Sequence, residues 1–382
     1  MSAGGDTELR RDAARARRIV VKVGSGTLTE AGRVRPRVVS DLARQVVVLL
    51  DAGREVVVVS SGAIAIGSHT LGWSQPGRSI PEKQAAAAVG QIGLSELWRK
   101  ALRKRGREAA QVLVTRSGLE DREGFLNARN TLATLLGLGV VPVVNENDTV
   151  ATEEIRFGDN DNLSATMVNL IGAELLVILT DVDGLYHAPP VSGQPLPPLY
   201  GVVENVADVE AAAGGSTSAF GRGGMVTKLE AARSAAGSGA ATVLCHGRKK
   251  NVLLRVAAGE AEGTLFRAGN KLASKKHRIA FTAKPRGALG LDDGAVRALS
   301  ERGRSLLPAG VVRVEGRFRR GDPVACVDAR GREFARGLAT YSSEEIDRIK
   351  GIATARIAAV LGFSNGDEVI HRDDLVLLPA RA

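Results

Sequence analysis

Short runs of apolar, mostly β-branched residues recur through the first 250 residues, and a segment with helical spacing of apolar residues follows most of them. Runs that are apolar at every position predict strands buried on both faces, and their alternation with helices predicts parallel strands joined by crossovers. The order is IVVKVG (19–24), helix 36–52, EVVVVSSG (55–62), helix 82–105, QVLVTRSG (111–118), helix 122–137, VVPVVNEN (140–147), helix 162–171 and LLVILTD (175–181). The pattern predicts an α/β fold, a three-layer αβα sandwich on a mostly parallel sheet.

The pattern changes between residues 262 and 276. The stretch KLASKKHRIAFTAKPR (271–286) holds six basic residues and no acidic one. Shorter strand-like runs with glycine-rich turns then follow: GVVRVEG (310–316), DPVACVD (322–328) and FARGLATY (334–341). They predict a small β-barrel-like module of about 100 residues. We expect a basic flexible tail at 1–17, a first domain at 18–265, a linker at 266–276 and a second domain at 277–382.

Length and composition agree with two globular domains. The chain has 382 residues, of which 44% are apolar and 25% charged, and this excludes wholesale disorder. No apolar run approaches the ~20 residues of a membrane-spanning helix. Cys245 and Cys326 lie far apart, without the spacing of a disulfide scaffold or a zinc site. These features favour the reducing cytoplasm as the compartment.

The net charge of +10 is concentrated in the C-terminal third of the chain, because residues 271–382 hold 21 basic and 14 acidic side chains. A basic domain leaves RNA open as a partner. Aromatic residues make up only 3% of the chain, too few for platforms that stack single-stranded bases. Glycine supplies 45 residues, which instead favours loops whose backbone N–H groups bind an anion.

Polar and glycine residues concentrate after the apolar runs, where an open parallel sheet binds ligands. The segments are Lys22 to Gly26, Ser60 to Gly67, Asn145 to Asp148 with Gly158 to Asn162, Thr180 to Gly184, and Gly221 to Lys228. A lone Gly-Ser-Gly is typical of a tight turn, and Asx-rich clusters are typical of turns and caps. Several such segments at one sheet edge are a stronger signal, and the last of them fits a cradle for nucleotide phosphates.

No histidine-based dyad accompanies these segments, because the five histidines are scattered along the chain. Phosphoryl transfer depends on positioning and charge neutralisation, and a carboxylate acceptor is already an anion that needs no general base. The residues therefore fit transfer of a phosphoryl group to an anionic acceptor. Lys22, Lys228, Mg²⁺ and helix N-termini would ease the approach of the two anions.

The chain also resembles a known family. The motifs are VVKVGSGTLT (20–29), VSSGAIAIG (59–67), KQAAAAVGQ (83–91), FLNARNTL (125–132), PVVNENDTVAT (142–152), FGDNDNLSA (157–165), LTDVDGLY (179–186) and GRGGMVTK (221–228). Over nearly all of residues 18–265 they resemble, in order, the glutamate 5-kinases of the amino-acid kinase family. Residues 277–372, with SLLPAG at 305–310, resemble the PUA domain that follows the kinase domain in many bacterial members.

The resemblance implies an ATP- and Mg²⁺-dependent kinase that phosphorylates the γ-carboxylate of L-glutamate, the first step towards proline, in a homo-oligomer inhibited by proline. The implied catalytic residues are Lys22, Lys228 and Asp161. The implied glutamate-binding residues are Ser61, Asp148 and Asn160. The implied ATP-binding residues are Lys22, Thr180, Asp181, Arg222, Gly223, Gly224, Met225, Val226, Thr227 and Lys228, and no metal site made of protein ligands is expected.

The sequence departs from the family pattern at two positions. Arg222 stands where a small hydroxyl residue is common, and Gly26 where a polar residue is frequent. Two alternatives stay open: a relative acting on acetylglutamate, aspartate or a nucleoside monophosphate, and an RNA-binding protein acting through its PUA domain. A nucleotide acceptor would call for arginines, whereas residues 60–67 and 145–162 hold only Arg156.

Overall fold

The computed structural model describes residues 3–30, 33–75, 77–120, 122–150, 159–191, 193–209, 224–269 and 285–378. The chain divides into two compact units, Met1–Gly269 and Asn270–Ala382. Phe266, where the linker was expected to begin, is instead a buried residue of the first unit's sheet. None of the helices in the described ranges combines the length and apolarity that crossing a bilayer requires.

The first unit contains a mostly parallel sheet, as predicted. Its strands within the described residues are β1 (Arg18–Val23), β2 (Thr29–Glu30), β3 (Arg33–Val34), β4 (Glu55–Ser60), β5 (Ala109–Val114), β6 (Val141–Glu146), β7 (Leu175–Thr180), β8 (Val202–Val203), β9 (Ala241–His246) and β10 (Thr264–Phe266). Eight of these described strands form one sheet in the order β5-β6-β4-β1-β7-β9-β10-β8. The first six run parallel, whereas β10 is antiparallel to β9 and parallel to β8. β2 and β3 pair separately.

Helices cover both faces of this sheet. Those in the described residues are α1 (Ala3–Ala14), α2 (Ser25–Leu28), α3 (Pro36–Asp51), α4 (Ala63–Thr70), α5 (Ile80–Arg103), α6 (Arg116–Glu120), α7 (Arg122–Gly137), α8 (Asp159–Ile171), α9 (Gly224–Gly237) and α10 (Val252–Ala257). The predicted helices correspond to α3, α5, α7 and α8. Local signals fix their starts: Pro36 opens α3, and Ser79 and Glu82 form a reciprocal capping box at α5.

The alternation of side chains along each central strand separates two apolar cores. Ile19 and Val21 of β1 belong to the core that also holds residues of α3 and α5, whereas Val20 belongs to the core with α8 and α9. Successive strand side chains point to opposite faces. Lys22 therefore shares the face of Val20, and it is directed to the layer formed by α8 and α9.

The N-terminal residues form a helix rather than the expected flexible tail. Arg10 of α1 is 7% exposed, and its guanidinium donates to the backbone carbonyls of Gly201, Glu260, Glu262 and Gly263 at distances of 2.7–3.3 Å. Burial without hydrogen bonds would be costly for a guanidinium, and these carbonyls satisfy it. The expectation of a frayed basic segment was therefore wrong for α1, because its partners come from residues about 190 to 250 positions away.

Two glycines allow α4 and α5 to pack at very short distance. A Cβ atom on Gly67 would lie 1.7 Å from the carbonyl oxygen of Ala86, and one on Gly90 would lie 1.8 Å from that of Ala63. No side chain fits at either position. Because α4 begins two residues after Ser61, this contact lies close to the end of β4.

The second unit is a smaller mixed sheet with its own core. Its described elements are β11 (Gly287–Leu291), α11 (Asp293–Ser300), β12 (Val311–Gly316), β13 (Pro323–Val327), β14 (Glu333–Leu338), α12 (Ser343–Ile349), α13 (Ile357–Leu361) and β15 (Leu375–Leu377). The strand order among them is β12-β11-β13-β14-β15, with β11 and β13 parallel and the other neighbours antiparallel. Phe318, Tyr341 and Ile370 are buried in its centre. The predicted strand runs match β12, β13 and β14.

Replacing Gly90 by alanine should destabilise the first unit by about 3 kcal/mol or more, because the new methyl group overlaps backbone atoms that cannot rotate away. Gly137→Ala is the matched control, since a Cβ there meets nothing within 4 Å. That variant should be neutral or more stable by up to about 1 kcal/mol. Urea unfolding followed by tryptophan fluorescence measures both, because Trp73 and Trp98, the chain's two tryptophans, lie in the first unit. Equal stability of the two variants would contradict the close helix contact.

Candidate active site

Three charged side chains from different elements meet at the carboxyl edge of the parallel strands. Lys22 is the second-last residue of β1, Asp161 lies in the first turn of α8, and Lys228 lies in the first turns of α9. The face on which Lys22 lies is the one that α8 and α9 cover. The structure thus brings together the three residues for which the sequence implied a catalytic role.

Asp161 is the centre of this group and is completely buried. Its Oδ1 lies 2.5 Å from Lys22 Nζ, and its Oδ2 lies 3.2 Å from Lys228 Nζ. Thr227 Oγ1 donates to the same Oδ2 at 2.8 Å, and Lys228 Nζ also donates to the carbonyl oxygen of Gly224 at 2.8 Å. Both carboxylate oxygens are therefore committed to protein groups, and the charged group as a whole keeps one net positive charge.

Burial and charge act in opposite directions on the Asp161 carboxyl. Burial favours its neutral form and raises its pKa, but the charges of Lys22 and Lys228 outweigh burial and hold the pKa of Asp161 below the ordinary value of 3.8. For Lys22, burial lowers the pKa from 10.5; Asp161 opposes this effect and Lys228 adds to it. Asp161 is therefore an anion at neutral pH, and its charge helps to keep Lys22 protonated.

The glycine turn after β1 lies against the end of β7. A Cβ atom on Gly26 would come within 3.3 Å of Asp181 Oδ2, so glycine at this position lets the turn approach that carboxylate. Thr180 Oγ1 donates to Asp181 Oδ1 at 3.0 Å. From the end of β9, Arg248 Nη2 reaches the carbonyl oxygen of Gly26 at 3.4 Å. The structure therefore places backbone N–H groups, a carboxylate and an exposed guanidinium beside Lys22.

A second polar group, made of neutral side chains, lies at the end of β4 and β6. Asn160 Nδ2 donates to Ser61 Oγ at 2.8 Å and to Asn145 Oδ1 at 3.0 Å. Asn145 Nδ2 donates in turn to Gln91 Oε1 of α5 at 2.8 Å. Asn160 immediately precedes Asp161 on α8, so this neutral network adjoins the charged group directly. Ser61 and Asn160, both implied as glutamate-binding residues, are in contact.

For the other residues that the resemblance implied, the structure gives a position in the fold, or they lie outside the described residues. Asp148 lies half-buried in a turn two residues beyond β6. Gly224, Met225, Val226 and Thr227 form the first turn of α9 together with Lys228. Arg222 and Gly223 lie outside the described residues, as does Arg156.

Sequence reasoning missed three residues of this region. Gln91 and Asn145 are 9% and 3% exposed. An amide side chain in the otherwise apolar, alanine-rich part of α5 could have indicated Gln91, because a buried amide needs hydrogen-bond partners. Asn145 stood in a segment that was singled out, but it was given no role. Arg248 follows β9 directly, at the same edge of the sheet as the other segments.

Comparisons with known proteins agree with this architecture. The sequence model of the Amino acid kinase family matches residues 17–246, and that of the PUA domain matches residues 287–361. The UMP kinase of Bacillus anthracis superposes with a TM-score of 0.47 at 16% sequence identity, over 67% of this chain and 97% of that chain. This superposition is too partial to add to the sequence match. The chain belongs to the amino acid kinase family.

Three similar relatives in this family are all named glutamate 5-kinase. The glutamate 5-kinase of Citrifermentans bemidjiense is 50% identical over 366 residues, which cover 95% of this chain and 98% of that protein. The glutamate 5-kinase of Pseudomonas aeruginosa is 51% identical over 365 residues, with the same two coverages. That of Ralstonia nicotianae is 50% identical over 365 residues, again covering 95% and 98%. The similarity therefore extends through both units.

Replacing Asp161 by asparagine should destabilise the first unit by about 3 to 5 kcal/mol at pH 7, because two ammonium groups would then share a buried site without a counter-charge. The lowered pKa of Asp161 means that its contribution is complete above pH 3.8 and is lost as the pH falls from there through the folded-state pKa. The deficit of Asp161→Asn against the wild type should accordingly shrink below pH 3.8. Urea unfolding followed by tryptophan fluorescence at several pH values measures it.

Thr227→Val is the matched control for this experiment. It removes a neutral hydrogen bond to Asp161 Oδ2 but no charge. Its loss should therefore be about 1 kcal/mol and should not vary with pH in this range. A deficit of Asp161→Asn that is equally independent of pH would contradict an ionised carboxylate at this position.

Proposed function

We propose that this chain transfers the γ-phosphoryl group of ATP to the side-chain carboxylate of L-glutamate, yielding L-glutamyl 5-phosphate and ADP. The observation that carries the proposal is the buried group of Lys22, Asp161 and Lys228 beside the neutral network of Ser61 and Asn160. The name shared by relatives that are 50 to 51% identical over nearly the whole chain supports this choice of acceptor.

The reaction joins two anions, and the site's charge suits it. A carboxylate oxygen of the acceptor attacks the γ-phosphorus; a new P–O bond forms, and the bond from the γ-phosphorus to the bridging oxygen of the β-phosphate breaks. The acceptor has no proton to lose, so no general base is required. Lys22 and Lys228 would neutralise charge on the transferred group and on the leaving oxygen. Asp161 would act as a positioning residue, because both its oxygens are committed to the lysines and Thr227.

The segments that we propose for ATP binding lie at the same edge of the sheet as the charged group. The glycine turn at 24–26, Thr180, Asp181 and the segment from Arg222 to Lys228 would bind ATP. The start of α9, a helix of 14 residues, adds N–H groups and a favourable dipole for phosphate oxygens. Support comes from the match of these positions to family motifs and from the contact between Gly26 and Asp181.

Mg²⁺ belongs to the proposal as the partner of the nucleotide. This ion is commonly held by one or two carboxylates together with phosphate oxygens. Asp181 fits that role, because its exposed carboxylate lies beside the glycine turn, whereas the buried Asp161 carboxylate is already paired with Lys22 and Lys228. The described residues contain no cluster of three or more histidine, cysteine or acidic side chains suited to a metal alone. When bound with ATP, Mg²⁺ would supply neutralisation of phosphate charge.

The acceptor side would be formed by Ser61, Asn160 and Asp148. A carboxylate at Asp148 suits the α-ammonium group of an amino acid, which acetylglutamate lacks. The family resemblance extends the proposal to a homo-oligomer inhibited by proline. RNA binding by residues 277–382 would be an addition rather than a replacement, because every residue proposed for the kinase reaction lies in the first unit.

Purified protein with MgATP should release ADP with L-glutamate and much less with N-acetylglutamate, L-aspartate or UMP, because only L-glutamate combines an α-ammonium group with a carboxylate at the right distance. Hydroxylamine should trap the acyl phosphate formed from L-glutamate. A coupled ADP assay measures all four acceptors, and the hydroxamate colour identifies the carboxyl product. Preference for N-acetylglutamate or UMP would overturn the assignment.

Replacing Lys228 by methionine should lower kcat by about 100-fold or more, because this ammonium would act mainly on charge that develops in the transition state. Lys250→Met is the matched control: Lys250 is exposed and follows β9, and it has no proposed role. Asp148→Ala should instead raise KM for glutamate. Steady-state kinetics with both substrates separates these effects, and equal kcat in the two lysine variants would remove Lys228 from the reaction.

A further inference from the structure

In the neutral network of Gln91, Asn145, Asn160 and Ser61, the order of hydrogen-bond donors and acceptors is determined by Ser95 of α5. Ser95 Oγ donates its proton to the carbonyl oxygen of Gln91, one helical turn earlier, at 2.9 Å. The hydroxyl can then only accept from the Gln91 side chain, and Gln91 Nε2 donates to it at 3.1 Å. The amide group of Gln91 is thereby oriented with its oxygen, Oε1, away from Ser95 and towards Asn145.

The orientation passes along the network one amide at a time. Gln91 Oε1 can only accept, so Asn145 must turn its Nδ2 towards it, as observed at 2.8 Å. This leaves Asn145 Oδ1 as the acceptor for Asn160 Nδ2 at 3.0 Å. Asn160 Nδ2 places its second proton on Ser61 Oγ at 2.8 Å. Both protons of the Asn160 amide are therefore used, and its orientation is determined by residues of α5 that lie two amides away.

The network ends at the carbonyl oxygen of Asn160. Among the described residues, Asn160 Oδ1 is buried and accepts no hydrogen bond, although a buried polar atom is nearly always satisfied. Neither lysine of the adjacent charged group is bonded to it in the described contacts: Lys22 Nζ pairs with Asp161 Oδ1, and Lys228 Nζ with Asp161 Oδ2 and the carbonyl oxygen of Gly224. An unfilled acceptor beside Ser61 thus points to a donor that arrives with the substrate.

We propose that Gln91 is a positioning residue that, through Asn145, presents the carbonyl oxygen of Asn160 to the α-ammonium group of the acceptor amino acid. This inference rests on the proposed function and adds a second group, beside the Asp148 carboxylate, that binds the substrate's amine. A reversed Asn160 amide would turn N–H groups towards the ammonium, so the direction of the network decides between attraction and repulsion. A neutral oxygen also binds a cation without adding a further anion to Asp148, and a further anion would repel the acceptor carboxylate and the phosphates of ATP.

The variant Gln91→Met should raise KM for L-glutamate by about 10- to 100-fold, the value of a hydrogen bond to a charged group, because it removes the oxygen that orients Asn145. Gln91→Glu keeps an oxygen that accepts from Asn145, and Ser95 can turn its hydroxyl to donate to the second oxygen, so the KM for L-glutamate should stay well below that of Gln91→Met. Ser95→Ala frees the Gln91 amide to reverse and should fall between them. Gln111→Met, at an exposed glutamine of β5, is the control for the substitution itself. Binding of ATP and kcat should change little in all four variants.

Glutarate, which is glutamate without its α-amino group, separates recognition of the amine from general damage to the site. Its inhibition constant against L-glutamate should be the same in Gln91→Met as in the wild type. An equal loss of affinity for glutarate and glutamate, or a glutamate KM in Gln91→Glu as high as in Gln91→Met, would overturn the proposal. If Gln91→Met does not unfold cooperatively, Ser95→Ala and Gln91→Glu still test it. A wild-type chain that binds ATP but does not phosphorylate glutamate would defeat the proposed function instead.

Discussion

A fully buried carboxylate stays ionised only when nearby cations and hydrogen-bond donors replace its lost hydration, and at Asp161 this requirement links three elements of the first unit. Asp161 lies on α8, and its two lysine partners come from β1 and α9. Each of the three backbones must be held within a fraction of an ångström for the distances to persist. The central sheet and the core between β1, α8 and α9 provide that rigidity, since strands buried on both faces cannot shift without opening cavities.

Strand β1 contributes apolar side chains to both cores of the first unit and one charged side chain, Lys22, to the candidate active site. Its neighbours Val21 and Val23 lie in the core with α3 and α5, and Val20 lies in the opposite core. Near the C-terminal end of β1, the strand face towards α8 and α9 carries Lys22 in place of an apolar residue, and Lys22 pairs with Asp161. The polar group is thus the continuation of one apolar layer at the point where the strands end, which is where an open α/β sheet binds ligands.

The acceptor side depends on a different contact, the close packing of α4 and α5 at Gly67 and Gly90. Ser61 precedes α4 and Gln91 follows Gly90, so the distance between these two helices determines how the amide network spans from one to the other. A side chain between the helices would separate Gln91 from Asn145 and Asn160. The tight contact therefore has a second consequence beyond core packing.

Much of this arrangement could be predicted from the sequence, for reasons that also explain what was missed. Apolar strand runs and the polar residues after them are local signals, and they located Lys22, Asp161, Thr180 and Lys228 correctly at one edge. The last two strands in the sheet order, β10 and β8, span only three and two residues, too few for a periodic pattern. The role of Arg10 depends on carbonyls far along the chain. The donor and acceptor orientation of each amide in the network depends on the hydrogen bonds that its neighbours already make. Composition and spacing in the sequence cannot predict that orientation.

The two halves of the site divide their chemistry by charge. The side proposed for the nucleotide holds the ionic group with one net positive charge and an exposed guanidinium at Arg248, which suits a polyanion. The side at Ser61, Asn145 and Asn160 is neutral within the described contacts, so it offers orientation without attracting a second nucleotide. An amino acid whose side-chain carboxylate must approach the phosphoryl group carries its own positive charge at the other end. In the proposed reaction, Asp148 and the oriented Asn160 oxygen would hold that charge in place while the lysines act on the transferred group, so that the two anions could meet without a base between them.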